Sequence, residues 1–168
     1  CPGGGIAGMI ETATTSFTAT RSPYLISTDP ALLDLDTIHG YLYHSYWSPG
    51  IPRAVVEKTI AHSLNFGLYH QDRATTQVGF GRVVTDYASF AYLADVFVLP
   101  DHRGQQLGVW LIETIIGYPA LQSLRSFLLA TRDAHELYRK VGFAPIDSTR
   151  YMIKQHDVAW RDATLIRE

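Results

Sequence analysis

Cysteine is almost missing from this chain, with Cys1 the only one in 168 residues. That excludes an internal disulfide framework and a cysteine zinc cluster, and it fits a reducing, cytoplasmic location. Runs of one charge are missing as well: the formal net charge is -2, and the 14 Lys and Arg form no cluster. Without a basic stripe there is no electrostatic footprint for a nucleic-acid backbone, and without a polybasic patch there is none for anionic lipid. No apolar stretch approaches the roughly 18 residues of a membrane span, and the N-terminus lacks the basic start and apolar block of a signal peptide. A soluble, unexported chain that binds neither nucleic acid nor membrane is expected. Neither His-Glu-x-x-His nor another zinc spacing occurs among the seven His, so no metal is expected. Gly-x-x-x-x-Gly-Lys-Ser/Thr is also absent, which argues against a nucleotide-binding or kinase-like protein.

What is present is a large apolar inventory. Hydrophobic residues make up 46% and charged residues 18%, with three Trp, ten Tyr and seven Phe. That is the profile of a packed protein, and the length suits one domain with a substantial core. Residues 1–21, rich in Gly, Thr, Ser and Ala and without an initiator Met, read as a flexible tail ahead of a domain over 22–168. Gly3, Gly5 and Gly8 satisfy Gly-x-Gly-x-x-Gly, but no strand precedes them, so they carry no dinucleotide reading.

Tyr24 to Thr28 reads as a short strand. Asp29 or Asp34 can cap a helix running to about Trp47, with Ile38, Leu42 and Tyr46 on one face. After Ser48-Pro49-Gly50, Pro52 opens a second helix from Arg53 to about Leu64. Phe66 to His70, Gln77 to Val84 and Phe90 to Leu99 are strand-like runs split by polar turns, which predicts an antiparallel meander. Past Pro100-Asp101-His102-Arg103-Gly104 the apolar period becomes helical, with Leu107, Trp110, Leu111, Thr114 and Ile115 along one side to about Tyr118. Phe127 to Ala130 reads as a strand, Ala134 to Val141 as a helix closed by Gly142, and Ile146 to Ile153 as a final strand. The expected order is β-α-α-β-β-β-α-β-α-β, an α/β fold with a mixed, largely antiparallel sheet.

Two segments carry chemistry. In Leu93-Ala94-Asp95-Val96-Phe97-Val98-Leu99-Pro100-Asp101-His102-Arg103-Gly104-Gln105-Gln106-Leu107-Gly108-Val109-Trp110, a strand feeds a helix through a tight turn. The first amides of such a helix are unpaired, and with the helix dipole they make a site for a pyrophosphate. The stretch resembles motif A of the GNAT superfamily, Arg/Gln-x-x-Gly-x-Gly/Ala, with Arg103 and Gly108 at the outer positions and Gln106 in place of the middle Gly. Thr131-Arg132-Asp133-Ala134-His135-Glu136-Leu137-Tyr138-Arg139-Lys140-Val141-Gly142-Phe143 resembles that family's Asn-x-x-Ala-x-x-x-Tyr-x-x-x-Gly-Phe helix. There Thr131 stands for the frequent Asn, and Ala134, Tyr138, Gly142 and Phe143 match.

The resemblance implies an N-acetyltransferase that moves an acetyl group from acetyl-CoA to a primary amine of a small molecule or peptide. It implies a cofactor site at Val96, Phe97, Val98, Arg103, Gly104, Gln105, Gln106, Leu107, Gly108, Val109, Thr131, Ala134 and Tyr138. Transfer needs an unprotonated amine, an oxyanion donor and a proton for the leaving thiolate. The family assigns Tyr138 as the acid and a backbone N-H at Val96, Phe97 or Val98 as the oxyanion donor. Asp95 is a candidate to hold the ammonium or relay its proton, with a purely structural hydrogen-bonding role as the other reading. The first two helices and their loop serve substrate recognition in this family, which singles out Tyr46 and Trp47 for an amine by ring-face attraction; packing in the core is the other reading of those aromatic residues. A non-catalytic acyl-CoA-binding or sensing module on the same fold is the alternative, and the exposed edge of such a sheet admits a homodimer.

Overall fold

Asp34 starts the first helix. Its Oδ1 accepts from the N-H groups of Asp36 and Thr37, so the donors that a helix start leaves unpaired are met locally. This helix, α1 (Leu35–His44), buries Ile38 and Leu42. Asp29, the other candidate cap, instead holds a short 3-10 turn at Pro30–Leu32. The computed structural model describes residues 16–72, 74–158 and 160.

Helix α1 stops short of Trp47, because Ser45 turns away and its hydroxyl donates to Leu42 O. Helix α2 (Arg53–Ala61) follows Pro52 and buries Val56. It also ends early, since Leu64 pairs with Val83 in a strand instead. The six-stranded sheet runs in sequence order: β1 (Thr18–Arg21), β2 (Tyr24–Ser27), β3 (Leu64–Gln71), β4 (Thr75–Thr85), β5 (Phe90–Val98) and β6 (Ser126–Leu129). All neighbours are antiparallel except β5 and β6, which are parallel and joined through α3 (Leu107–Ile116). Helix α4 (His135–Lys140) follows β6. The fold is the expected mixed α/β sheet flanked by helices.

Apolar side chains divide between the two faces. Ile38, Leu42 and Val56 from α1 and α2 pack with Phe80 and Phe97 on one side. Leu107, Leu111, Ile112 and Ile115 from α3 pack with Phe66, Leu68, Val78 and Leu93 on the other. Gly81 is required by that approach, because a Cβ there would stand 2.7 Å from Ile115 Cδ1. Among the described residues no helix is long and apolar enough to cross a membrane.

Two expectations are corrected. The expected tail does not extend to residue 21, because Thr18–Arg21 forms β1, pairing from Thr18↔Ser27 to Arg21↔Tyr24. Polar Thr and Arg side chains suit that outer strand, whose other edge has no strand partner among the described residues. Phe17 already exchanges hydrogen bonds with Thr28, and residues 1–15 of the proposed tail, with Gly3, Gly5 and Gly8, lie outside the described residues. The final strand over Ile146 to Ile153 does not form. Asp147 Oδ1 accepts from Thr149 N and Thr149 Oγ1 and makes a 3-10 turn at Ser148–Arg150, a local alternative to a sheet ladder. No burial favours a strand there, since Met152 is 100% and Ile153 82% exposed.

Candidate active site

The site is organised by a bulge in β5. Phe80 pairs with Phe97 and Arg82 with Ala94, so Asp95 and Val96 together oppose Gly81. Asp95 takes φ 55°, a left-handed conformation that Asp tolerates better than most residues. The kink aims its carboxylate at two donors. Arg82 Nε reaches Oδ2 at 2.7 Å and Trp47 Nε1 reaches Oδ1 at 3.1 Å. Arg82 also donates to Ser63 Oγ at 3.0 Å. Pairing of β5 with β6 ends at Leu93↔Leu129, so beyond the bulge the β6-facing edge of β5 has no strand partner among the described residues. Backbone groups near Val96 to Val98 are left to line a cleft.

The turn after β5 builds the start of α3. Gly104 and Gln106 both have left-handed backbones, at φ 78° and 61°, and no side chain caps the helix. A Cβ on Gly108 would meet only Val98 Cγ2, at 4.0 Å, so internal packing does not demand glycine there. Arg103 is held back against the strand end: its Nε donates to Val98 O and its Nη2 to Tyr41 Oη, both at 2.9 Å. Tyr41 in turn stacks on Phe97 with ring centroids 3.9 Å apart. Gln105 points elsewhere, accepting from Tyr24 Oη at 3.3 Å.

Ahead of α4, Thr131 Oγ1 accepts from Ala134 N at 3.0 Å and shapes the approach to the helix. The ring of Tyr138 packs edge-on against Phe143, and its hydroxyl has no hydrogen-bond partner among the described residues. Desolvation, with smaller contributions from nearby Tyr46 and Asp133, pushes the Tyr138 phenol up to about 12. Tyr46 spans the gap from the α1–α2 loop. Its hydroxyl donates to Asp133 Oδ1 and accepts from Arg132 N, both at 3.2 Å, while the Arg132 guanidinium lies 3.9 Å above its ring.

Two cavities meet at this point. One, of about 980 Å³, runs along Val96, Phe97 and Val98 to Arg103, Gly104, Gln106, Leu107, Gly108 and Val109, and reaches Ala134 and Tyr138. It gathers most of the cofactor-binding residues expected from the sequence. The other, of about 760 Å³, is lined by Asp95, Arg82, Tyr92, Thr131 and Arg132. Tyr46, Trp47, Val96, Asp133, Ala134 and Tyr138 belong to both. Thr131 and Asp95 thus line the second cavity and not the first, Gln105 lines neither, and Leu107 is buried, so only its backbone can serve. Sequence reasoning missed Arg82, Tyr92, Arg132 and Asp133. Arg132 and Asp133 stand inside the second motif, so their position was available as a signal; Arg82 carries none in the sequence. Among the described residues no group of three or more His, Cys, Asp or Glu could hold a metal.

Comparison with known proteins agrees with this geometry. Residues 64–145 match the model of the acetyltransferase (GNAT) domain. A proposed acetyltransferase of Gibberella zeae is 34% identical over 142 residues, covering 72% of this chain and 78% of that protein. The crystal structure of a proposed GNAT-family acetyltransferase from Xanthomonas campestris shares 44% identity, with a TM-score of 0.74 over 80% of this chain and 93% of that one. A Staphylococcus aureus protein at 24% identity has a TM-score of 0.63 over 80% of this chain and 99% of its own, and shares the fold.

Proposed function

The chain belongs to the GNAT family of acetyltransferases, and from that premise we propose that it transfers an acetyl group from acetyl-CoA to a primary amine of a small molecule or peptide, by direct attack in a ternary complex. The observation that carries the proposal is the Tyr138 hydroxyl, protonated and unpartnered among the described residues, where the two cavities meet.

The residues present fit acetyl-CoA. An uncapped helix start offers N-H groups and a positive dipole end to a pyrophosphate, and Gly108 leaves room that no internal neighbour fills. The unpaired edge of β5 offers backbone donors to the pantetheine arm and the thioester oxygen. When bound, acetyl-CoA supplies an activated acyl carbon and a thiolate leaving group. Backbone N-H groups on the β6-facing edge of β5, at Val96 or Val98, would meet the charge that develops on oxygen, since Phe97 is paired with Phe80. Tyr138 gives its proton to the departing sulfur as the new C-N bond forms, and recovers one from solvent after the amine has lost its own.

Asp95 acts mainly as a positioning residue in this reading, since both of its oxygens already accept, from Arg82 and Trp47. It keeps Trp47 and Arg82 on the wall where the amine enters, with Tyr46 closing the opposite side. The outer edge of β6, which has no strand partner among the described residues, supports a homodimer as the assembled form. Thiol release from acetyl-CoA against a panel of amines, amino acids and peptides tests the reading, with Tyr138→Phe beside the parent protein. Release that depends on an acceptor and drops at least 100-fold in the variant is expected on the usual worth of a general acid; binding of CoA without release on any acceptor would overturn it.

A further inference from the structure

The four charged side chains around the 760 Å³ cavity are not equally available to a ligand. Arg82 and Asp95 neutralise each other at 2.7 Å, with side chains 14% and 10% exposed. That leaves Arg132 and Asp133. Arg132 makes no ion pair with any described residue, yet it is not a loose surface cation: its guanidinium rests on the Tyr46 ring, and its backbone N-H donates to the Tyr46 hydroxyl. The same hydroxyl donates to Asp133. One tyrosine therefore fixes both a cation and an anion on the wall, in neighbouring positions. They differ in place: Asp133 lines both cavities, beside Tyr138, while Arg132 lines only the outer one.

We infer that the acceptor is an amine that also carries an anionic group, with its ammonium drawn to Asp133 at the transfer point and its anion paired with Arg132. This rests on the acetyltransfer reading and narrows its substrate class. The planar guanidinium gives a carboxylate or a phosphate two parallel N-H donors, and stacking on Tyr46 holds it ready at little entropic cost. Tyr92, Trp47 and Tyr46 supply apolar wall between the poles, and the volume suits a metabolite-sized molecule. A polyamine is disfavoured, because each further ammonium would meet Arg132, and among the described residues lining the cavity the other carboxylate, Asp95, is already paired with Arg82.

The test uses matched acceptors differing only in the anion: L-phenylalanine against phenethylamine, and phosphoethanolamine against ethanolamine, with spermidine as the polycation. Both kcat/KM by thiol release and equilibrium binding by calorimetry are read for the parent protein, Arg132→Gln, Arg132→Lys and Arg132→Glu. Arg132 is exposed, so these variants should fold, and thermal melting checks that they do. The parent should favour one anionic member over its partner about 10- to 100-fold, the worth of a charge-assisted hydrogen-bonded contact. Which pair shows it separates carboxylate from phosphate. Arg132→Gln should bring that pair to near parity, Arg132→Lys should keep part of the preference, and Arg132→Glu should invert it toward spermidine. Equal or better use of the partners that lack the anion overturns the inference while leaving acetyltransfer standing. Preferential binding of the anionic member with no thiol release overturns acetyltransfer while leaving the paired ammonium and anion sites standing, and binding of none of these amines overturns the inference.

Discussion

Arg82 and Asp95 lie 13 residues apart in the sequence and 2.7 Å apart in space, each almost enclosed, across the bulge that shapes the candidate site. Removing one member strands the other charge away from water, which costs about 3–5 kcal/mol for buried pairs. Asp95→Asn keeps the shape and the tolerance of a left-handed backbone, so its effect isolates the charge. It should lose about 3 kcal/mol in urea unfolding, and adding Arg82→Gln should restore part of that loss. Additive losses in the double variant would show that the two charges are not coupled.

Gln106 holds φ 61° and ψ 17° at the mouth of α3, where its side chain costs roughly 1 kcal/mol that glycine would not incur. The middle Gly of the motif has a conformational reason, and this chain forgoes it. Gln106→Gly should gain about 0.5 kcal/mol, because glycine's greater freedom in the unfolded chain offsets part of the relief. Gln106→Val should lose more than about 1 kcal/mol, since a β-branched residue fits this region worst. Melting temperatures of the two variants decide, and a melting temperature for Gln106→Val at or above that of the parent would refute the strain.

Tyr138 should behave as an acid that stays protonated through the working range. With its phenol raised to about 12 by burial, first of all, kcat/KM should climb as the acceptor amine loses its proton and then stay level through about pH 10.5, where an ordinary tyrosine would already be titrating. Tyr138→Phe should lower kcat by about 10²- to 10⁴-fold with little change in CoA affinity. A descending limb centred near 10 in the parent would contradict the assignment.

Much of this could be read from local rules. Asp34 as a cap, Pro52 before a helix, and the change from strand to helix period after Gly104 each depend on residues within one turn of each other. The 103–108 turn and the 131–143 segment were legible for the same reason. What could not be read depends on partners distant in the chain. β1 is a polar strand that exists because β2 offers it an edge, and Thr18-Ala19-Thr20-Arg21 has no alternation to announce it. The expected strand at Ile146 to Ile153 has the right apolar residues, but the short-range bonds of Asp147 with Thr149 take precedence. The second cavity was least visible, because Arg82 acquires its meaning only from the bulge opposite it.

Tyr69 and Tyr138 together should make the fold fragile in alkali. The Tyr69 hydroxyl is buried without a hydrogen-bond partner among the described residues, lying so close over Gly67 that a Cβ there would collide with it. Desolvation, then the charges of Asp29 and Asp34, pushes its phenol well above the usual range. For both residues the folded state holds the proton more tightly than the unfolded chain, whose phenols titrate near 10. Their contribution is therefore complete below about pH 10 and is lost as pH rises toward 12, at about 1.4 kcal/mol per unit for each group while the unfolded chain alone is ionised. Tyr69→Phe removes one of the two groups and also an unmet polar atom. It should gain about 1 kcal/mol at neutral pH and gain more relative to the parent above pH 10. Urea unfolding measured from about pH 7 to 11 reads both effects. Parallel curves for parent and variant would mean that Tyr69 titrates alike in both states, and a neutral-pH loss would mean that its hydroxyl is satisfied after all.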